Sequence, residues 1–408
     1  MSIQMIQKRF WIRKERHMSN SKFKTPYFLI HEDLLEENIA NFRNAMDDIW
    51  PNSIIAYSVK TNSLPWILDW MNRHNVYAEV VSDEEYQLAL LTGYATDRIV
   101  FNGPIKTDKY LRKAFEGGSI INIDSQNEID FIKREKPEIK GTLGVRVNVD
   151  PAIFDSEDVG YQEDGFRFGF CSENGSLKKA LETLIGVYGR IPFGLHFHVN
   201  SITRSLNVYR AIASYAAEII KEYRIDSSYI DIGGGFFGGV PGKTTPKEYI
   251  GVIKEKLGPV IDITKTKLII EPGSAAVGST IDLHTSVIDV KDTVHGRIVT
   301  TDGSRIYIDP LWIKKGYVYT TDSARETHQH QVICGYTCMD HDRIMAIDNK
   351  PELLVNDHIV YHRVGNYTVT FGGPFIRPFP PVYCQTFDGI KLIRKQMSVE
   401  DYYRMETE

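Results

Sequence analysis

The sequence predicts an α/β fold: a (β/α)8 TIM-type barrel with a C-terminal all-β domain of the β-barrel or sandwich kind, joined by an N-terminal strand. Short apolar runs rich in β-branched residues alternate with stretches of helical periodicity up to Gly278. A polar residue or a glycine follows each of these runs. Beyond Gly278 the helical periodicity is replaced by short alternating runs. Alternation of strand and helix indicates a parallel sheet, and alternation within short runs is typical of antiparallel β structure.

The barrel strands are predicted from eight runs, which is the number that closes a (β/α)8 barrel. An open doubly wound sheet is the structural alternative. The clearest helices between the runs are Glu84–Leu91 and Leu206–Tyr223. The eight runs are Ile54–Val59, Val76–Val81, Arg98–Phe101, Ser119–Ile123, Thr142–Val149, Gly194–Val199, Tyr229–Ile232 and Lys267–Ile270.

The domain boundaries follow from these patterns. Residues 35–278 form the predicted barrel and residues 279–408 the β domain, while a strand at Tyr27–Ile30, within residues 23–34, is expected to pair with the β domain. Residues 1–22 are basic and are expected to be a flexible tail. The runs predicted as strands of the β domain are Asp282–Val290, Arg297–Thr301, Arg305–Ile308, Val332–Cys334, His358–His362 and Tyr367–Phe371.

Composition narrows the class of protein. A formal net charge of -5 argues against non-specific nucleic-acid binding, and no apolar stretch is long enough to cross a membrane. The four cysteines are too few and too scattered for a secreted disulfide framework. The basic N-terminus lacks the apolar core of a secretory signal, so a cytoplasmic location is expected by default. Cys334 and Cys338 have a spacing found in metal sites, but no second Cys/His pair accompanies them, and we expect no metal.

Polar residues and glycines at the carboxyl ends of the eight runs mark the edge where barrels of this kind carry their chemistry. One such residue is unremarkable, whereas a lysine, a triple glycine and a glutamate together indicate a site. They are Lys60, Ser82, Asn102, Asp124, Asn148, Asn200, Gly233–Gly235 and Glu271.

Lys60 is the most informative of these residues. Burial at the end of an apolar strand would lower its pKa and make the amine nucleophilic, as a Schiff-base lysine requires. A lysine that caps the strand and points into water is the alternative, and the local run does not decide between the two.

The other strand ends offer groups that suit a cofactor. Gly233–Gly235 allow a close backbone approach to a phosphate, although the spacing is neither that of a P-loop nor that of a dinucleotide fingerprint. Glu271 could pair with a cationic ring nitrogen. His196 and His198 are predicted on one face of a strand, where an imidazole could stack on an aromatic cofactor, or simply be a hydrogen-bonded interior histidine.

At this point the motifs resemble those of the diaminopimelate/ornithine decarboxylase family, the fold type III enzymes that use pyridoxal 5'-phosphate (PLP). AYSVKTN is similar to the family's lysine motif, and five further motifs follow in the family's order over roughly residues 25–385. They are GLHFHVNS, YIDIGGGFFGG, IIEPGSA, CGYTCMDHD and VGNYT.

The resemblance implies decarboxylation of an amino acid or amino-acid derivative by a homodimer whose subunits share their active sites. Lys60 would bind PLP as a Schiff base, and Glu271 would pair with the ring nitrogen. Cys338 would come from the neighbouring subunit as proton donor, and Asp302 would lie near the substrate. The other implied cofactor contacts are His198 on the ring, Arg146 near it, and Ser201, Gly234, Gly235 and Tyr367 at the phosphate.

Two departures from the family pattern concern the substrate. Ser274 stands where the family has an arginine, Met339 where it has an acidic residue, and Asp340 is the neighbouring carboxylate that could substitute for the latter. The sequence therefore does not identify the amino acid. An amino-acid racemase on the same fold and a non-catalytic homologue that binds a partner protein are the alternative functions.

Overall fold

The structure, a computed structural model, describes residues 23–407, so the predicted tail at residues 1–22 lies outside the described part of the chain. The chain divides into two compact units. One is Leu34–Ser279, and the other combines the residues before Leu34 with those from Thr280 onward. Within residues 23–407, no helix has both the length and the apolar character that a membrane crossing requires.

The first unit is the predicted barrel, which the structure confirms. Eight parallel strands close into a ring in the order β5-β4-β3-β2-β10-β9-β8-β6, and pairing of β5 with β6 completes it. A short strand, β7, extends the sheet beside β6. With strands numbered in chain order, these are β2 (Ser53–Ser58), β3 (Tyr77–Val80), β4 (Ile99–Phe101), β5 (Ile120–Ile123), β6 (Thr142–Asn148), β7 (Phe170–Cys171), β8 (Phe193–His196), β9 (Ser227–Asp231) and β10 (Lys267–Ile270).

Helices separate the barrel strands, and polar side chains fix where several of them begin. Ser205, for example, accepts a hydrogen bond from the backbone N–H of Val208 and caps the long helix that follows it. The helices are Glu32–Ile49, Pro65–Arg73, Asp83–Leu91, Asp108–Gly117, Gln126–Glu135, Ser176–Tyr188, Leu206–Tyr223, Pro246–Leu257 and the short Ser274–Val277.

The interior of the barrel is filled by side chains from its strands. The ring of Tyr229 lies against the backbone of Gly144 and Gly194, where a Cβ atom at either glycine would overlap it. Apolar side chains from β2, β4, β5 and β10 surround that ring and are buried. The barrel is therefore a packed core, and groups at the carboxyl ends of its strands sit on a rigid floor.

The second unit is a mixed sheet. Strand β1 pairs antiparallel with β11 and parallel with β17, as expected for a strand that precedes the barrel in sequence but belongs to the β domain. The strands are β1 (Tyr27–His31), β11 (Ile281–Thr293), β12 (Gly296–Thr301), β13 (Val318–Thr321), β14 (Thr327–Cys334), β15 (Arg343–Pro351), β16 (His358–His362), β17 (Val382–Thr386) and β18 (Gly389–Arg394). A helix at Val399–Thr407 follows them.

Two segments predicted as strands are not strands. Arg305–Ile308 is a short helix, because Ser304 caps it and the Asp342 carboxylate accepts the Arg305 backbone N–H at 2.9 Å. Residues 367–371 form turns, because Tyr367 has a left-handed φ of 50° and the Phe371 N–H bonds back to the Thr368 carbonyl.

Candidate active site

Lys60 lies just beyond the end of β2, in a single 3-10 turn, Val59–Thr61. Its Nζ donates to Ser58 Oγ and to Glu79 Oε2, each at 2.7 Å. The Lys60 side chain is 36% exposed, whereas that of Glu79 is 1% exposed. Lys60 is therefore held by a buried carboxylate at the mouth of the barrel and does not simply cap a strand in water.

Glu79, from β3, is a residue to which the sequence analysis assigned no role. Burial raises the pKa of this carboxyl, but the charge of Lys60 and hydrogen bonds from Lys60, Ser58 and Asn102 outweigh it, so the pKa is lowered overall. Because Glu79 stays ionised, it balances the charge of Lys60 inside the site. Its only sequence signal is a glutamate within a short apolar strand.

Glu271, directly after β10, is buried and is connected through Asn102 to Glu79, the partner of Lys60. Asn102 donates from Nδ2 to Glu271 Oε1 at 2.5 Å and to Glu79 Oε1 at 3.1 Å. One amide group thus connects two carboxylates from different strands. The sequence analysis placed Asn102 at a strand end but did not predict this link.

Asp231 and His196 end β9 and β8 beside Glu271, and both are almost fully buried. One nitrogen of His196 and one carboxyl oxygen from each acid lie within 4.8 Å of one another. Burial, followed by the charge of Arg146, lowers the pKa of His196 well below 6.5, so the imidazole is neutral. Asp231 appeared in the glycine motif, but the sequence analysis gave it no function.

The glycine triplet forms a tight loop after β9. Gly233 and Gly235 have left-handed φ values of 68° and 87°, and a Cβ atom at Gly234 would overlap the carbonyl oxygen of Glu271. The Gly234 N–H donates to His198 Nδ1 at 3.2 Å, and its carbonyl accepts from Tyr209 Oη at 3.0 Å. The loop therefore needs glycine for both conformation and space.

His198 lies in the loop after β8, so the prediction that both histidines share a strand face was wrong: β8 ends at His196. The two imidazole planes are nevertheless within 17° of parallel, with centroids 6.4 Å apart. Burial, and then the charges of Arg146 and Lys60, lower the His198 pKa to about 3. His198 is thus a flat, neutral ring.

Arg146, from β6, stabilises the loop that carries His198. Its Nη1 donates to Asp124 Oδ2 at 3.2 Å, and its Nη2 donates to the His198 carbonyl at 3.3 Å. The guanidinium stacks over the ring of Phe168 at 4.6 Å. Its Nε is buried and has no hydrogen-bond partner among the described residues, so a donor remains for another group.

Ser201 is half-buried in the same loop. Its hydroxyl donates to the Asp158 carbonyl at 3.3 Å and accepts the Arg204 N–H at 2.8 Å. The barrel unit thus brings together Lys60, Arg146, His198, Ser201, Gly234, Gly235 and Glu271 at the carboxyl ends of its strands.

The remaining predicted site residues belong to the second unit. Asp302 is buried, and its carboxylate accepts from Thr25 Oγ1 at 2.6 Å and from the Ser286 N–H at 2.8 Å, so it fastens the N-terminal segment to β11. Cys338 and Asp340 are exposed, and Met339 is half-buried. Tyr367 is 37% exposed.

Asp342 supports the segment that carries Cys338. Its carboxylate accepts from Ser304 Oγ at 2.9 Å and from Thr337 Oγ1 at 2.7 Å, in addition to the Arg305 N–H. A Cβ atom at Gly335 would overlap that carboxylate. Gly335, the glycine of the CGYTCMDHD motif, and Asp342, its last aspartate, therefore shape the segment.

Comparison with known proteins identifies the family. Residues 32–278 match the family described as "Pyridoxal-dependent decarboxylase, pyridoxal binding domain". A diaminopimelate decarboxylase of Archaeoglobus fulgidus is 28% identical over 84% of this chain and 83% of its own length. The Helicobacter pylori enzyme of the same name is 27% identical over 94% of this chain and 96% of its own.

Solved structures show the same fold. The Helicobacter pylori diaminopimelate decarboxylase, complexed with L-lysine, superposes with a TM-score of 0.79 at 25% identity, covering 96% of this chain and 99% of that one. The arginine decarboxylase of Paramecium bursaria Chlorella virus gives 0.75 at 22% identity, covering 91% and 98%, which speaks for the fold alone.

These similarities support PLP-dependent amino-acid decarboxylation, and none of them supports a racemase or a non-catalytic partner-binding protein. The Lys60 amine paired with a buried carboxylate, the neutral histidine ring and the glycine loop are compatible with that chemistry. The chain belongs to the pyridoxal-dependent decarboxylase family.

Proposed function

We propose that this enzyme decarboxylates an α-amino acid at the mouth of the barrel, with PLP attached to Lys60. One observation carries the assignment: the Lys60 amine, the neutral His198 ring and the buried Glu271 carboxyl all lie just after the carboxyl ends of strands of one barrel. Lysine supplies the covalent attachment, a flat imidazole supports an aromatic ring, and a carboxyl group binds a ring nitrogen.

The residues present fit this cofactor. Gly234 lies so close to the Glu271 carbonyl oxygen that only glycine fits there, which keeps the loop after β9 tight beside Glu271. We propose that Gly234, Gly235, Ser201 and Tyr367 bind the phosphate and that Arg146 adds positive charge nearby. The unpaired Nε of Arg146 supports its part in this assignment.

When bound, PLP withdraws the electrons left at Cα after CO2 departs. The protein's own contribution is positioning and proton control. Glu79 and Ser58 hold the Lys60 amine in place. The buried Glu271 carboxyl would bind a proton at the ring nitrogen. We propose Cys338, with Lys60 as the alternative, as the donor that returns a proton to Cα.

We also propose that the active unit is a homodimer with shared active sites, in which Cys338 completes the site of the partner subunit. The exposed position of Cys338 supports this, since a thiol that serves another subunit must lie at the surface. Large apolar side chains of the second unit are more than half exposed, as on surfaces that an assembly covers. They include Ile313, Phe371 and Ile376. The cytoplasmic location stays a prediction.

The substrate is proposed to be an amino acid or a derivative whose distal end differs from that of diaminopimelate. Ser274 and Met339 supply neither a cation nor a carboxylate at the two positions where the family uses them, and Asp302 is already occupied by Thr25 and Ser286. Asp340 is exposed and offers the remaining carboxylate of this segment.

A screen for CO2 release tests the proposal. The purified protein, loaded with PLP, is incubated with diaminopimelate, ornithine, lysine, arginine and amino-acid conjugates, with Lys60→Ala as the inactive control. We expect CO2 from at least one compound, and loss in Lys60→Ala of both CO2 release and the absorbance of lysine-bound PLP. Racemised amino acid without CO2, seen by chiral chromatography, would instead favour the racemase.

A further inference from the structure

Two carboxyl groups share one closed space in the barrel. Asp231 is 0% exposed, Glu271 is 3% exposed, and an oxygen of each lies within 4.8 Å of the other and of a His196 nitrogen. Asp231 has no part in the functions assigned above. Two ionised carboxylates at this separation in a dry site would repel strongly, so the pair needs a cation or a proton.

The nearby cations already have carboxylate partners. Lys60 is paired with Glu79, and Arg146 with Asp124. His196 lies closest to the pair, with Nε2 3.7 Å from Glu271 Oε2, but the pKa of this imidazole is lowered well below 6.5, first by burial. The proton must therefore reside on the carboxyls themselves.

The hydrogen bonds of the pair agree with one retained proton. Asp231 Oδ1 accepts the Gly233 N–H at 2.9 Å, and Glu271 Oε1 accepts from Asn102 at 2.5 Å. Asp231 Oδ2 is buried and accepts no N–H or O–H of any other described residue. A proton held on one of the two carboxyls would give the pair the O–H donor that two ionised carboxylates lack.

Burial and the neighbouring charges shift the pKa values of both carboxyls in the same direction, upward. Burial, and then the neighbouring carboxylates, hold the pKa of Glu271 well above 4.5, and burial raises the pKa of Asp231 to about 7. The titratable or charged groups that act on the pair, or on His196 beside it, are Lys60, Glu79, Lys106, Arg146, His196, His198 and Tyr229.

We propose that Asp231 is a positioning residue that shares one proton with Glu271, so that the site holds a proton ready for the ring nitrogen of PLP. The inference rests on the proposed function of Glu271. An isolated Glu271 carboxylate would have to take that proton from water. The carboxyl pair supplies it from within the barrel and keeps Glu271 oriented through a hydrogen bond.

The first test uses the cofactor-free protein, so it does not depend on activity. A buried acid with a raised pKa binds a proton in the folded state that the unfolded chain has lost, so stability falls as pH rises from about 4 to about 7. We expect the urea midpoint of Asp231→Asn to fall less over this range than that of the wild type. Asp97→Asn, at an exposed site before β4, should retain the wild-type slope.

The second test counts protons on PLP binding, by calorimetry at slightly alkaline pH in buffers with different ionisation heats. Asp231→Asn is expected to take up about one more proton from solution than the wild type, and Asp231→Glu should restore the wild-type count. If Asp231→Asn does not fold, Glu271→Gln replaces it in the stability measurement.

Equal stability slopes and equal proton counts in the wild type and Asp231→Asn would overturn the inference. A stoichiometric metal ion in the purified cofactor-free protein would do so as well, because a cation would then balance the pair. Failure of the wild type to bind PLP through Lys60 would overturn the proposed function instead, while the cofactor-free stability slopes would still report on the carboxyl pair.

Discussion

The Lys60 amine and the Glu79 carboxylate lie 2.7 Å apart, with the carboxylate buried beneath the amine. Removing only Lys60 would leave a charged group in the barrel with no cation. We expect Lys60→Met to destabilise the cofactor-free protein by about 1–3 kcal/mol, less than a fully buried pair because Lys60 is partly exposed. Urea denaturation measures this.

The double variant Lys60→Met/Glu79→Gln should regain most of the lost stability, since the uncompensated charge is then gone. Lys247→Met is the surface control, because Lys247 pairs with Asp48 where both side chains are largely exposed. Strictly additive effects of the two substitutions would contradict the pairing.

Gly234→Ala should weaken PLP binding while leaving the barrel folded. The added methyl group would overlap the Glu271 carbonyl oxygen, so the loop must move away from its present position. We expect about 10- to 100-fold lower affinity in a fluorescence titration with PLP, as for strain of about 1–3 kcal/mol. Gly251→Ala is the matched control, since a Cβ there meets nothing within 4 Å. Unchanged affinity in Gly234→Ala would argue against a cofactor at this loop.

His198 should make the protein sensitive to acid. Burial, then the charges of Arg146 and Lys60, lower its pKa from 6.5 to about 3. Between these pH values the imidazole is protonated in the unfolded chain but neutral in the folded protein. Stability should therefore fall as pH falls from about 6.5 towards about 3. We expect His198→Asn to lose less stability than the wild type over this range, whereas His295→Asn, at an exposed position, should follow the wild type. Parallel curves for all three proteins would contradict a neutral His198.

Asp282 should be a main electrostatic support of the β domain. Its Oδ2 contacts His31 Nε2 at 3.0 Å and His362 Nδ1 at 2.9 Å, joining β1, β11 and β16. Although burial raises its pKa, the two histidines outweigh burial and hold it well below 3.8, so its contribution is present above about pH 4 and is lost as pH falls further.

At neutral pH we expect Asp282→Asn to cost about 3–5 kcal/mol by thermal or urea denaturation. Asp289→Asn on the same strand is the control, because Asp289 forms a surface ion pair with Lys291 and should cost about 0–1 kcal/mol. Equal losses in the two variants would contradict a special role for Asp282.

Much of the barrel could be predicted because strand, helix and strand-end chemistry coincide along the chain. Glu79 was missed because both faces of a barrel strand are buried, so the alternation within Tyr77–Val80 does not tell whether its glutamate points into the site. Asp231 was missed because its importance depends on Glu271, which reaches it only through the pairing of β9 with β10.

The β domain was predicted less completely for a similar reason. The helix at Arg305–Ile308 depends on Asp342, which is 37 positions away from Arg305. A local apolar run cannot reveal such a contact, so the β propensity of these residues led to the wrong prediction of a strand. Strands β13, β15, β17 and β18 also escaped prediction, since polar or exposed residues make up much of each and no long apolar run marks them.

Asp342 stabilises the segment that carries Cys338 without using the side chains proposed to contact the substrate. Its carboxylate anchors the segment through Ser304, Arg305 and Thr337, and none of these bonds involves Met339 or Asp340. Replacing those two side chains therefore costs little stability. Since Met339 and Asp340 are the proposed substrate positions, a lineage could change its amino-acid substrate there by single substitutions, without first acquiring compensating changes elsewhere in the protein.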